Sequence, residues 1–307
     1  MSGAVRPAVQ QIPQARRSGP VIGLLHPGQM GAAVAALAVH TGHEVWWDPT
    51  GRSPDSARRA KAAGLQEARG LSDLADRVEV LLSICPPAAA GDVARRVAGV
   101  GFRGLYVEAN AISPHRLERL ARTLQDSGAT FLDGSIVGVP PTDGRGARLY
   151  LAGPPEAAQI LSGVFAGTTL QVEVLSNRQG AASALKMAFA GYQKATRILA
   201  GVSHALAAEH GVSAQLLAEA QRHSRSPLAD PDYLPSVAAR AWRWAPELRE
   251  VADALDDAGL PSHMAQAAAR AMQRWTPYRD RWDCELTEIL HALVQRQHQI
   301  PTVRNFR

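Results

Sequence analysis

The eleven residues "VIGLLHPGQMG", Val21 to Gly31, join a short apolar run to a glycine-containing turn and then to small residues at helical spacing. The same alternation continues downstream. The apolar runs "HEVWW", "VEVLLSIC", "GLYVEAN", "ATFLDGSIVG" and "ARLYLAG" are separated by segments such as "DSARRAKAAG" and "AAGDVARRVAG". Strands that alternate with helices of about ten residues predict an α/β unit, a doubly wound parallel sheet covered on both faces. The strand pattern stops at about Val174. From there the chain reads as Ala-rich and helical, with breaks expected at "GVS", "SRSPLADPDYLP", "WAPE" and "AGLPS". The predicted organisation is a flexible leader over residues 1–18, a Rossmann-like domain over 19–175 and an all-α domain over 176–307. In the first long helix, Leu185, Phe189, Tyr192, Leu199, Val202 and Leu206 recur at helical spacing, a stripe expected to be buried.

Composition narrows the function classes. The 307 residues carry 33 basic and 28 acidic side chains, a net charge of +5. The basic residues are scattered and lack an interleaved aromatic platform, which argues against nucleic-acid binding. Two distant cysteines, Cys85 and Cys284, make neither a disulfide framework nor a metal site, and no metal is expected. No segment has the apolar length of a membrane span, so a cytoplasmic protein acting on a small molecule is expected.

A phosphate-binding turn needs glycine where the backbone folds tightly, where it approaches the pyrophosphate, and where helix meets strand. Gly28 and Gly31 fill the second and third roles, and His26 stands in the first. The turn follows the first strand, and Asp48 ends the second strand where a ribose-reading group belongs. The amides that open the helix suit a pyrophosphate. Asp48 favours NAD. The turn "GRS", Gly51 to Ser53, resembles the "NRS" or "NRT" phosphate-reading turns of NADP-dependent dehydrogenases, which implies that Arg52 and Ser53 read a 2′-phosphate; with Arg58 and Arg59 nearby, the expectation leans to NADP.

"GLLHPGQMG" resembles the N-terminal motif of the 6-phosphogluconate dehydrogenase and β-hydroxyacid dehydrogenase superfamily. The resemblance continues in order through "VLLSICPP", "VEANAISP", "FLDGSIVGVPP" and "ALKMAFAGYQKA". The segment "RAWRWAPELREVADALDDAGLP" is similar to the C-terminal helical domain of a bacterial branch with no settled substrate. The resemblance implies cofactor contacts from His26, Pro27, Gly28, Gln29, Met30 and Gly31, and from Cys85, Pro86 and Asn110. It also implies a catalytic lysine at Lys186, one of only three lysines, the others being Lys61 and Lys194. Arg stays protonated, whereas a desolvated Lys can exchange a proton near neutrality. Lys194, two turns further on, is expected to be a surface or rim charge.

Two departures from the superfamily pattern stand out. Ala190 replaces an asparagine one turn after the lysine, and Val137 replaces the usual substrate-orienting serine. Asn110, Ser135, Gly138, Ser183, Tyr192 or His223 are left to contact substrate, although each hydroxyl or amide is equally suited to a structural hydrogen bond. Trp242 and Trp244 could shape a pocket or pack in the core. The expected activity is hydride transfer between a nicotinamide and a hydroxy or carbonyl compound. The alternatives are imine reduction on the same architecture, or a catalytically silent cofactor-binding regulator. The long helix, apolar on more than one side, predicts a homodimer, and the resemblance implies that its helical domains intertwine.

Overall fold

A computed structural model describes residues 19–142, 144–222 and 230–294. The expected leader and His223 lie outside the described residues.

Eight strands form one sheet in the order β3-β2-β1-β4-β5-β6-β7-β8. They are β1 (Ile22–Leu24), β2 (Val45–Trp47), β3 (Gln66–Glu67), β4 (Val80–Ser83), β5 (Leu105–Glu108), β6 (Thr130–Gly138), β7 (Ala147–Ala152) and β8 (Leu170–Ser176). All neighbours pair in parallel except β6 and β7, which are antiparallel, so the expected parallel sheet acquires one reversed junction. Side chains alternate across it. Ile22, Leu24, Val80, Leu82, Leu105 and Val107 pack on one face with α1 (Gln29–His40), α2 (Pro54–Ala62) and α6 (Pro155–Val164). Leu81, Tyr106 and Phe131 pack on the other with α3 (Leu71–Arg77), α4 (Ala90–Gly99) and α5 (Pro114–Asp126). The chain winds outward from β1 to β3 and then returns to β4 beside β1. That reversal opens a crevice at the carboxyl ends of β1 and β4, where doubly wound sheets bind ligands.

The helical part consists of α7 (Ala181–Glu209), α8 (Ser213–Arg222), α9 (Leu234–Asp257), α10 (His263–Gln273) and α11 (Leu286–Val294). The break expected at "WAPE" is absent, since α9 continues through Pro246. Ala245, Glu247 and Leu248 are buried around that proline, and tertiary packing offsets the roughly 3 kcal/mol a mid-helix proline costs.

The stripe on α7 is also placed differently from expectation. Leu185, Phe189, Tyr192 and Leu199 are 38, 40, 71 and 59% exposed, while the side chains of Val202 and Leu206 lie outside those described. The inward face is Ala182, Ser183, Met187, Ala190, Lys194 and Ile198, mostly small or polar residues. Small side chains let α7 approach α9, and the large apolar ones face away.

Candidate active site

At the carboxyl end of β1, Gly28 caps α1 with no side-chain hydrogen bond, leaving the first helical amides without a capping partner. A side chain at Gly31 would put its Cβ 2.5 Å from the His26 carbonyl oxygen, so strand and helix meet there only because the residue is glycine. His26 takes the first glycine's place without a left-handed backbone. The turn is braced by two arginines: Arg52 donates to the Leu25 carbonyl at 2.8 Å, and Arg59 to the Pro27 carbonyl at 2.9 Å. Arg52 also reaches the His26 ring, 2.8 Å from Nδ1.

Asp48 is buried. It accepts from the Thr50 amide at 2.9 Å and lies 3.8 Å from Arg96 of α4. Asp48, Arg52 and Arg96 share a small cleft with Leu25, Leu71, Val93 and Val97. Gly51 is left-handed, φ +69°, which turns the chain after β2 and brings Arg52 back under the glycine turn. Ser53 accepts from the Ser56 amide and caps α2. Arg96 was not anticipated, because nothing in its own segment signals that α4 overhangs the end of β2.

On the other side of the crevice, Asn110 is buried. Its amide oxygen accepts from the Cys85 amide and its amide nitrogen donates to Ser83, tying the ends of β4 and β5 together. Burial pushes the Cys85 thiol up to about 12, which leaves it inert, and Pro86 is exposed beside it. Beneath them Glu108 is fully buried. Desolvation raises its carboxyl to about 8, against the lowering influence of bonds from the Asn110 amide and Tyr106.

The reacting end is built by β6 and α7. Asp133 accepts from the amides of Ala182 and Ser183 at 2.9 and 3.2 Å and from the Ser183 hydroxyl at 2.7 Å, so it caps α7 from the sheet. Desolvation lifts its carboxyl to about 6. Three residues further into the helix, Lys186 Nζ donates to the Ile136 carbonyl of the same strand at 2.7 Å. Burial lowers this ammonium to about 8, with nearby Lys194 and Arg243 adding to the effect and Glu247 opposing it. Ser135 is buried with its hydroxyl unpartnered. Gly138 ends β6, exposed.

The substrate contacts expected from sequence therefore divide. Ser135 and Gly138 lie on the strand that receives Lys186, whereas the Ser183 hydroxyl is engaged by Asp133 and Asn110 by the strand ends. Tyr192 is not brought to Lys186. Six helical residues rotate it by about 240°, onto the outward stripe. Lys194 is no surface charge: it is buried, 2.7 Å from Glu247 and 5.4 Å over the Trp244 ring. The Trp242 ring lies under Arg279 and its N–H points to Asp280, so both tryptophans are covered by cations of their own domain. Glu250 of α9 accepts from the Ser113 amide and pairs with Arg116, which pins the helical domain to the sheet domain.

Comparison with known proteins bears on the fold and on the nucleotide-binding domain. Residues 21–175 match the NAD binding domain of 6-phosphogluconate dehydrogenase, and residues 207–275 match a domain of unknown function, DUF1932. The chain belongs to the family that carries this NAD-binding domain. It is 26% identical over 144 residues to an uncharacterised 28.5 kDa protein of Methanothermus fervidus, an alignment covering 47% of this chain and 54% of that one. The chain thus matches about half the length of this curated relative. Among solved structures, the 3-hydroxyisobutyrate dehydrogenase of Mycobacterium tuberculosis superposes with TM-score 0.71 at 18% identity, over 90% of this chain and all of that one. An imine reductase from Myxococcus stipitatus, solved with NADP+, has TM-score 0.52 at 16% identity over 90% of this chain and all of that one. The fold is that of the hydroxyacid dehydrogenases and imine reductases.

Proposed function

We propose that the protein is an NADP-preferring oxidoreductase that moves a hydride between nicotinamide and a small hydroxy or carbonyl substrate, with Lys186 as general acid and base. The observation that carries this reading is the placement of Lys186 at the junction of the two domains, where it donates a hydrogen bond to the Ile136 carbonyl of β6 and is tuned by burial to about 8. The uncapped α1, the open cradle at Gly28 and the unpartnered Arg52 Nε fit a dinucleotide, whose nicotinamide supplies or accepts the hydride when bound. Lys186 gives a proton to the carbonyl oxygen in reduction and takes it back in oxidation. Ser135, on the same strand, has a free hydroxyl to orient the substrate. The NADP preference is supported by Asp48, whose carboxylate is already engaged by Thr50 and Arg96, and by the two guanidiniums beside it. The outward apolar stripe of α7 supports a homodimer.

The test is a panel of hydroxy acids, keto acids and cyclic imines, followed by the absorbance of reduced nicotinamide. Turnover of the oxygen compounds is expected. Turnover of imines alone would replace carbonyl chemistry with C=N reduction. Nucleotide binding without any turnover would make the protein a silent sensor.

A further inference from the structure

We propose that His26 donates a hydrogen bond from Nε2 to the pyrophosphate of the bound dinucleotide, and that Arg52 is the positioning residue that fixes the tautomer and orientation of its ring. The proposal rests on the cofactor reading above and assigns the work done at the position where a glycine is missing.

The tautomer follows from donor chemistry. A guanidinium has N–H donors and no acceptor. Arg52 Nη1 lies 2.8 Å from His26 Nδ1, so Nδ1 must carry the lone pair and the ring proton sits on Nε2. An imidazolium, with two donors, could not make this contact. Burial and the positive charges of Arg52 and Arg59 keep the ring neutral, consistent with that assignment.

The orientation follows from the same guanidinium. Its other amino group holds the Leu25 carbonyl at 2.8 Å, so one side chain grips both the ring and the backbone leading into it. With Nδ1 turned to Arg52, the Cδ2–Nε2 edge lies along Gly28: a Cβ built there would be 3.5 Å from Cδ2 and 4.0 Å from Nε2. The free N–H therefore borders the space that Gly28 keeps open at the start of α1. A phosphate entering that space meets a side-chain donor in addition to the helix amides. Since pyrophosphate is common to both nucleotides, His26 and Arg52 serve NAD and NADP alike, and any reading of the 2′-phosphate by Arg52 comes on top of this.

The experiment combines ring 15N NMR of the cofactor-free protein with calorimetric titration of NAD+ and NADP+ into wild type, His26→Phe, Arg52→Gln and the double variant. We expect a pyridine-type Nδ1 and a pyrrole-type Nε2, with Nε2 moving when either nucleotide is added. Each single substitution should raise the NAD+ Kd about tenfold, the scale of one charge-assisted hydrogen bond, and the double variant should be no weaker than His26→Phe. A protonated Nδ1 in wild type, an unchanged NAD+ affinity in His26→Phe, or multiplicative losses in the double variant would each overturn the proposal. The NMR result stands even where a variant does not fold. Failure of folded wild-type protein to bind either nucleotide would remove the cofactor reading itself and this proposal with it.

Discussion

The sheet domain buries most of its large apolar side chains, with Ile160, Val174 and Leu175 among the exposed exceptions, whereas the first long helix of the helical domain turns a whole row of them outward. Across β1, β2, β4, β5 and β6 the large side chains point into two packed layers, and Trp47, Tyr106 and Phe131 are all but fully buried. Along α7 the balance shifts: Met187 and Ile198 face inward among alanines, a serine and a lysine, while Leu185, Phe189, Tyr192 and Leu199 face out. A chain places large apolar residues outside a core only at a cost, unless something covers them. The contrast separates a domain that packs most of its large apolar side chains within itself from a helix that turns a row of them outward. Under the proposed function, the first would hold the nucleotide, the second would bring Lys186, and a second copy would cover the row.

The largest expected effect breaks the division of labour. Lys186→Ala should lower turnover at least about a hundredfold, the scale of a lost general acid, with nucleotide affinity nearly unchanged. Steady-state kinetics beside calorimetry decides it, and a folded variant with near-normal turnover would remove the lysine from the mechanism. The wild-type pH profile carries a sign as well. Reduction needs the protonated lysine and should fall as pH rises through about 8, whereas oxidation needs the neutral lysine and should rise there.

The second prediction attacks the open face. Replacing both Phe189 and Leu199 with glutamate should weaken self-association by roughly a hundredfold or more, since burying a charge in an apolar interface costs several kcal/mol. Light scattering across a dilution series reads the shift. A wild-type protein that is monomeric at micromolar concentration would show that the stripe has another purpose. A smaller effect sharpens the sheet side of the comparison: Arg96→Ala should weaken NADP+ by about tenfold and leave NAD+ close to wild type. Equal losses would place Arg96 outside the 2′-phosphate site.

The smallest effect concerns stability. Lys186 titrates near 8 in the fold and near its ordinary 10.5 when unfolded, so the folded state disfavours its charge. Stability from this group is full above about 10.5 and declines as pH falls to about 8, below which the deficit is constant. Lys186→Met should therefore stabilise the protein by about 1–2 kcal/mol at pH 7, with the gain vanishing at high pH. Thermal melts at the two pH values would show it.

How much of this was legible in sequence depended on whether the signal was local. Strands β1, β2, β4, β5 and β6 announce themselves because short continuous apolar runs, as a sheet buried on both faces requires, alternate with helical segments. The two-residue β3 carries too few residues to make a pattern. Lys186 was legible through its motif, but Asp133, which caps its helix, is 53 residues away, inside β6, where nothing local marks it as a helix cap. The same holds for Arg52 and His26, whose contact spans 26 positions. The α7 stripe misled because helical periodicity identifies a shared face and says nothing about which face is inside. Lys194 misled for the related reason that a buried lysine is recognisable only once Glu247 is seen beside it.

The cap on α7 has a mechanical side. Asp133 fastens the helix at its first turn, and Lys186 touches the same strand again at Ile136, so strand β6 acts as a fulcrum. The 29-residue helix is about 43 Å long, with Lys186 only about 8 Å from the pivot. A rocking of about 5° would carry the far end through nearly 4 Å and the lysine through well under 1 Å. The long arm can follow the movements of its own bundle or of a partner, while the short arm keeps the ammonium in register with the strand.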